Sequence, residues 1–253
     1  MIRATLTAAL AALSFVALAT LALAQSPGPL QGKIYGSGNK ALVVVLHGDL
    51  SSGGQATYHF DIANSIARAN PNVTVMAMIR PGYSGGSGLK SPGSNTNRSD
   101  HYTKRNNQLV AQTIQNMAQQ LGTTKVIGVG HSGGAAQLGG VLGLAPGLLD
   151  SAVLVSCPCD IATWRASKGR GPWKNSAGQS PDKQISKIAK GTRLVLIVGT
   201  RDDNTRLSLS ESYAASAKAR GLNVQLIPVN GAGHGFNKLQ GTVLKSVNSE
   251  LRR

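Results

Sequence analysis

The sequence predicts a doubly wound α/β fold: a mainly parallel sheet with helices on both faces and a small or no cap domain. Three observations carry this expectation. Six short apolar, β-branched runs alternate with helical stretches along the chain. The runs lack polar alternation, as strands covered on both faces require. The roughly 230 residues that follow the leader suit one domain with ample material for a core.

The elements follow in order. Met1-Ile2-Arg3 is a short positive start, positions 8–23 are almost wholly apolar, and Ala22-Leu23-Ala24 supplies small residues before Gln25. This predicts a secretory signal over 1–24, cut near Ala24-Gln25, and a periplasmic or secreted protein without a membrane anchor after cleavage. Pro and Gly follow the apolar stretch with no basic stop-transfer cluster, and no later segment is apolar for long enough to span a bilayer. Residues 25–253 then form a single domain. Strands are expected at 41–46, 73–79, 125–129, 151–155, 193–198 and 223–229, and helices at 55–69, 102–121, 134–144, 208–220 and 236–251. Two long connections leave the carboxyl ends of strands, where open α/β sheets bind ligands. Residues 81–107, rich in Gly, Ser and Asn, read as a loop. Residues 157–192, with Trp164, Trp173 and a short helix at 182–189, read as a cap-like insertion.

With 26 Lys and Arg against 10 Asp and Glu, the chain carries a net charge of +16. Nucleic acid is not the expected partner, because the chain is read as exported and offers neither an aromatic stacking platform nor a nucleic-acid motif. From Trp164 to Arg193 there are Arg165, Lys168, Arg170, Lys174, Lys183, Lys187, Lys190 and Arg193 against Asp182 alone, and the other long connection adds Arg80, Lys90, Arg98, Lys104 and Arg105 at or near it. If they ring the sheet's edge, the mouth of a site there is positive and concentrates anionic substrates. The cysteines are Cys157 and Cys159 around Pro158. A bridge between them closes a very small loop, and the sequence leaves it open whether they pair. A metal site lacks two further soft ligands nearby.

The most specific motif is Gly130-His131-Ser132-Gly133-Gly134, placed directly between a predicted strand and a predicted helix. A serine on so sharp a turn presents its hydroxyl above the sheet, and this is the context of a nucleophile elbow. A serine hydroxyl needs a base, and the base an orienting acid. Among five histidines, His234 in Gly231-Ala232-Gly233-His234-Gly235-Phe236 follows the last strand. His47, His59, His101 and His131 read as packing or surface residues. Candidates for the acid are Asp202 and Asp203, after the strand ending at Val198, and Asp160, after the strand ending at Val155. Two backbone N–H groups must receive the oxyanion. Gly133 supplies one, and Asp49, in the loop His47-Gly48-Asp49-Leu50, the other, with Leu50 as the fallback.

These residues together resemble a serine hydrolase of the α/β-hydrolase superfamily over nearly the whole mature region. They are Leu46-His47-Gly48-Asp49, Arg80-Pro81-Gly82-Tyr83-Ser84-Gly85, the elbow, Gly199-Thr200-Arg201-Asp202-Asp203 and Gly233-His234-Gly235-Phe236. Ser180-Pro181 and the Asp202-Asp203-Asn204 run also resemble the catalytic domain of the prolyl oligopeptidase family and dienelactone-hydrolase-like enzymes. That resemblance implies Asp202 as the acid, in the order Ser132, Asp202, His234. His131 and Gly133 stand where the peptidases commonly carry aromatic residues, and the amino-terminal propeller is absent, so an esterase-like enzyme is implied rather than a peptidase. It implies a small-molecule ester or short peptide substrate and no metal or organic cofactor. The competing class is a non-catalytic exported binder that uses a basic face on an anionic envelope polymer. Oligomeric state is not legible.

Overall fold

The computed structural model describes residues 27–173 and 179–253; the expected signal segment and Lys174 lie outside them. In chain order the elements are β1 Gly32–Tyr35, β2 Ala41–Leu46, α1 Phe60–Ala69, β3 Val73–Met78, β4 Ser84–Gly86, β5 Leu89–Lys90, α2 Lys104–Leu121, β6 Val126–His131, α3 Gly133–Leu144, β7 Ser151–Val155, α4 Ile161–Ser167, α5 Pro181–Gln184, β8 Arg193–Gly199, α6 Leu207–Ala219, β9 Asn223–Val229 and α7 Gln240–Leu251. The main sheet runs β1-β3-β2-β6-β7-β8-β9. Only the edge strand β1 pairs antiparallel within it; every other neighbouring pair is parallel. The chain therefore forms the doubly wound, mainly parallel sheet that its sequence predicts.

The uniform apolarity of the strands has a simple cause. All six side chains of β2 are buried, and successive side chains point to opposite faces. Leu42, Val44 and Leu46 join the core that packs under α2, α3 and α6 through Val110, Ile114, Leu138, Val141, Tyr213 and Ala217. Ala41, Val43 and Val45 join the core under α1 and α7, built from Ile62, Ile66, Val243 and Val247. A polar residue on either face would meet hydrocarbon.

Helix α3, which starts at the elbow, is apolar or small at every position but Gln137, and Gly133 through Gly143 are buried. A helix of that kind belongs inside the molecule. Its glycines admit close neighbours: a Cβ on Gly139 would lie 2.6 Å from Pro181 Cβ, at the start of α5.

Several expectations shift. β1 and the β4–β5 hairpin lie where no strand is expected. Helix α1 starts at Phe60 rather than 55, because Ala56 N–H donates to Ser84 O of the hairpin at 2.8 Å instead of joining a helix. The last helix starts at Gln240, after a 3-10 turn over Phe236–Lys238. The helix expected at 182–189 is α5 followed by a 3-10 turn, Ile185–Lys187. Cys157 and Cys159 are bonded to each other and buried just after β7. Among the described residues no helix is long and apolar enough to cross a membrane.

Candidate active site

Ser132 is the single residue between β6 and α3, held at φ 51° and ψ −117°. A residue with a side chain adopts such a conformation only where its surroundings impose it. A Cβ on Gly130 would sit 2.6 Å from Ala135 N, and one on Gly134 2.5 Å from His47 O. Strand and helix therefore close on each other only with glycine at both positions. The Ser132 N–H donates to Val155 O of β7 at 2.8 Å, which ties the turn to the sheet.

The loops after β8 and β9 bring Asp202 and His234 to this serine. His234 Nε2 lies 3.1 Å from Ser132 Oγ, and Nδ1 lies 3.0 and 3.1 Å from the two Asp202 carboxylate oxygens. A carboxylate accepts only, so Nδ1 carries the proton and Nε2 is free to accept from the serine hydroxyl. Asp202 Oδ1 also accepts from the Asn204 and Thr205 amides at 3.0 and 2.7 Å, and Oδ2 from the Thr205 hydroxyl at 2.8 Å. Neither other candidate acid is hydrogen-bonded to His234. Asp203 is exposed. Asp160 caps α4, accepting from the Thr163 amide at 3.0 Å and hydroxyl at 2.7 Å.

Burial raises the Asp202 pKa, but hydrogen bonds and charge from His234, with hydrogen bonds from Thr205, outweigh it and hold the carboxyl at about 2. A folded pKa below the unfolded value of about 3.9 stabilises the fold above that value. The contribution is lost as pH falls through about 2. Over that window the wild type should lose ~2 kcal/mol more stability than Asp202→Asn, read by urea denaturation; parallel stability curves would contradict this.

The loop after β2 lies alongside. His47 Nδ1–H donates to Gly48 O at 2.7 Å, and its Nε2 accepts from Arg80 N–H at 3.0 Å. Burial first, then His59 and Arg80, push the His47 pKa well down, so the ring is neutral as both bonds require. Because the Gly48–Asp49 peptide is trans, a carbonyl turned toward His47 turns the Asp49 N–H the other way. Among the described residues neither that amide nor the Gly133 amide, the first of α3, donates within the chain.

The Asp49 carboxylate is a hub. Oδ1 accepts from Arg80 Nη1 at 2.9 Å and Tyr83 OH at 3.3 Å, and Oδ2 from Asp100 N at 2.9 Å and Tyr102 OH at 2.6 Å. A Cβ on Gly133 would collide with it. The two amides expected to face an oxyanion thus belong to residues in contact.

Ser132 and His234 open into a cavity of about 470 Å³, lined also by Tyr58, Asp61, His131, Phe236, Asn237 and Gln240. Among the described residues its lining holds no lysine or arginine. Arg80 is 2 % exposed and bound to Asp49, Arg165 and Arg170 meet Asp100, Lys183 meets Asp182, and Arg193 meets Glu250. Among the described residues no group of three or more His, Cys, Asp and Glu could hold a metal ion.

A sequence model of the alpha/beta hydrolase family matches residues 43–187. The chain belongs to the alpha/beta hydrolase family. The matched stretch contains Asp49 and Ser132; Asp202 and His234 of this hydrolase-family chain lie beyond it. Among solved structures, it is similar to esterase PE8 with a TM-score of 0.65 and 19 % identity, over 87 % of this chain and 98 % of that one. A Paleococcus ferrophilus monoacylglycerol lipase gives 0.60 and 17 %, over 87 % and 99 %. A Mycobacterium tuberculosis puromycin-hydrolyzing peptidase gives 0.63 and 15 %, over 90 % of this chain and 38 % of the peptidase. At these identities the likeness is one of fold. A search of curated proteins finds no match.

Sequence reasoning missed Tyr58 and Phe236 as cavity residues and the buried part Arg80 plays. Tyr58 falls in a stretch read as helix, where its packing partner is not visible. Phe236 stands two residues after His234, and that spacing is the one signal that could have found it.

Proposed function

We propose that this hydrolase is an exported serine esterase that acts on small carboxylic esters through an acyl-enzyme. The observation that carries the reading is the 3.1 Å contact of Ser132 Oγ with His234 Nε2, with Asp202 on the far side of the ring, at the edge of a cavity. His234 takes the serine proton as the hydroxyl attacks the ester carbonyl. Asp202 keeps the proton on Nδ1 and stabilises the imidazolium. The amides of Gly133 and Asp49 receive the oxyanion. The alcohol leaves with the proton returned by His234, and water releases the acyl group by the same steps in reverse order of roles. Export rests on the leader over 1–24 and is read by whether protein recovered from the periplasm or medium begins at Gln25.

Stopped-flow hydrolysis of p-nitrophenyl esters tests the chemistry. Nitrophenol should appear in a burst of about one equivalent per enzyme wherever deacylation is slower than acylation, and Ser132→Ala should show neither burst nor turnover. Folded wild type without turnover on any ester of the panel would sink the reading and favour a non-catalytic binder. Cleavage of peptides but not esters would favour the peptidase. Because the cavity lining among the described residues has no lysine or arginine and includes Asp61, matched neutral and anionic esters should react at similar rates with little salt dependence. A preference for the anionic ester that salt abolishes would instead favour the basic rim as a steering device.

A further inference from the structure

Beside Ser132, along the same cavity, runs a second polar chain that the chemistry above does not use. The Gly48 N–H donates to the Tyr58 phenol oxygen. The phenol lies 2.7 Å from His131 Nδ1, and His131 Nε2 lies 3.0 Å from the carbonyl oxygen of His234. The directions are forced. A carbonyl only accepts, so Nε2 carries the His131 proton; a neutral ring then accepts at Nδ1, and the Tyr58 O–H must donate there. Burial, with His234 nearby, pushes the His131 pKa down to about 3, which keeps the ring neutral. The ring also stacks on Phe236, centroids 4.7 Å apart and planes 29° apart, and Tyr58 meets the same Phe236 edge-on at 5.8 Å.

The chain therefore joins two loops remote in sequence. One end holds Gly48, next to the Asp49 amide; the other holds the backbone of His234 itself. Ser132 follows His131 directly, so one imidazole is attached to the serine's strand and braces the loops on both sides of it. We propose that Tyr58 and His131 are positioning residues that set the distance between the oxyanion loop and the base. This deepens the proposed function and rests on the roles given there to Ser132 and His234. It needs no charge transfer along the chain: each member holds its proton throughout, and only alignment is at stake.

The test is turnover per active site, with sites counted by fluorophosphonate titration so that misfolded protein drops out. Tyr58→Phe keeps the ring and its packing but removes the hydroxyl. Its kcat per site should fall on the order of tenfold or more with KM shifted much less, because misalignment acts on the transition state. His131→Asn keeps an acceptor near the Nδ1 position and loses the donor to His234 O. His131→Gln restores a donor near the Nε2 position and should recover part of the kcat that His131→Asn loses. The loss in Tyr58→Phe combined with His131→Asn should be smaller than the product of the single losses, since both break one chain. An unchanged kcat per site in Tyr58→Phe overturns the proposal, and so do fully multiplicative losses in the double variant. Ser132→Ala is assayed alongside: turnover surviving there overturns the underlying function instead, a different result from an unaffected Tyr58→Phe.

Discussion

Asp202→Asn should lower kcat by about four orders of magnitude while leaving a folded protein. The physical reason lies in what the carboxylate accepts. It takes the His234 Nδ1–H and three hydrogen bonds from Asn204 and Thr205. An amide at that position can still accept the Asn204 and Thr205 amides through its oxygen, so the loop keeps much of its shape. Its NH₂ then faces Nδ1 as a donor, which drives the imidazole proton to Nε2. A protonated Nε2 cannot take the proton of Ser132, 3.1 Å away. The paired controls are Asp203→Asn, an exposed position, which should stay within a few-fold of wild type, and Asp160→Asn. The latter replaces one good cap of α4 with another and should also leave kcat nearly unchanged. Steady-state kinetics on one ester decides among them; a large loss in Asp160→Asn with Asp202→Asn active would reassign the acid.

Arg80→Met should cost about 3–5 kcal/mol of stability and lower kcat in whatever protein still folds. Arg80 is buried beneath the loop after β2, where Nη1 bonds Asp49 Oδ1 and His47 O, and Nε bonds Gln137 Oε1. Its guanidinium also lies over the Tyr83 and Tyr102 rings, 5.2 and 5.5 Å from their centroids. Methionine fills much of the volume but leaves the Asp49 carboxylate without its counter-charge. Tyr83, Tyr102 and the Asp100 amide still donate to it, which argues for the lower end of that range. Urea denaturation measures the cost, and a change below about 1 kcal/mol would mean that the neutral donors alone suffice. Because Asp49 also touches Gly133, loosening this pair moves both amides assigned to the oxyanion, and activity should fall further than stability explains.

The central strands were legible because burial on both faces leaves no room for a polar residue, and β2 shows the consequence in six consecutive apolar side chains. β1 has four residues, of which Lys33 is exposed and Ile34 and Tyr35 only half buried, so no such pattern marks it. The β4 strand, Ser84-Gly85-Gly86, has none of the β-branched or aromatic side chains that signal a strand. It forms because the chain turns back through Ser87 and Gly88, both at positive φ. The elbow was readable for a different reason: glycine at positions 130 and 134 beside Ser132 is a steric requirement that leaves its mark on the sequence. Arg80 was not readable. Arginine is usually exposed, and its pairing with Asp49 spans 31 positions, so its spacing carries no sign of it. Tyr58 and His131 meet across 73 positions and were hidden in the same way.

Ser132 is the residue expected to become acylated. The most direct measurement is the mass of the covalent adduct left by a fluorophosphonate, mapped by digestion to one peptide. Wild type should carry one adduct, on Ser132, formed at a rate that collapses in Asp202→Asn and disappears in Ser132→Ala. An adduct on any other serine, or undiminished labelling of folded Ser132→Ala, would contradict the account.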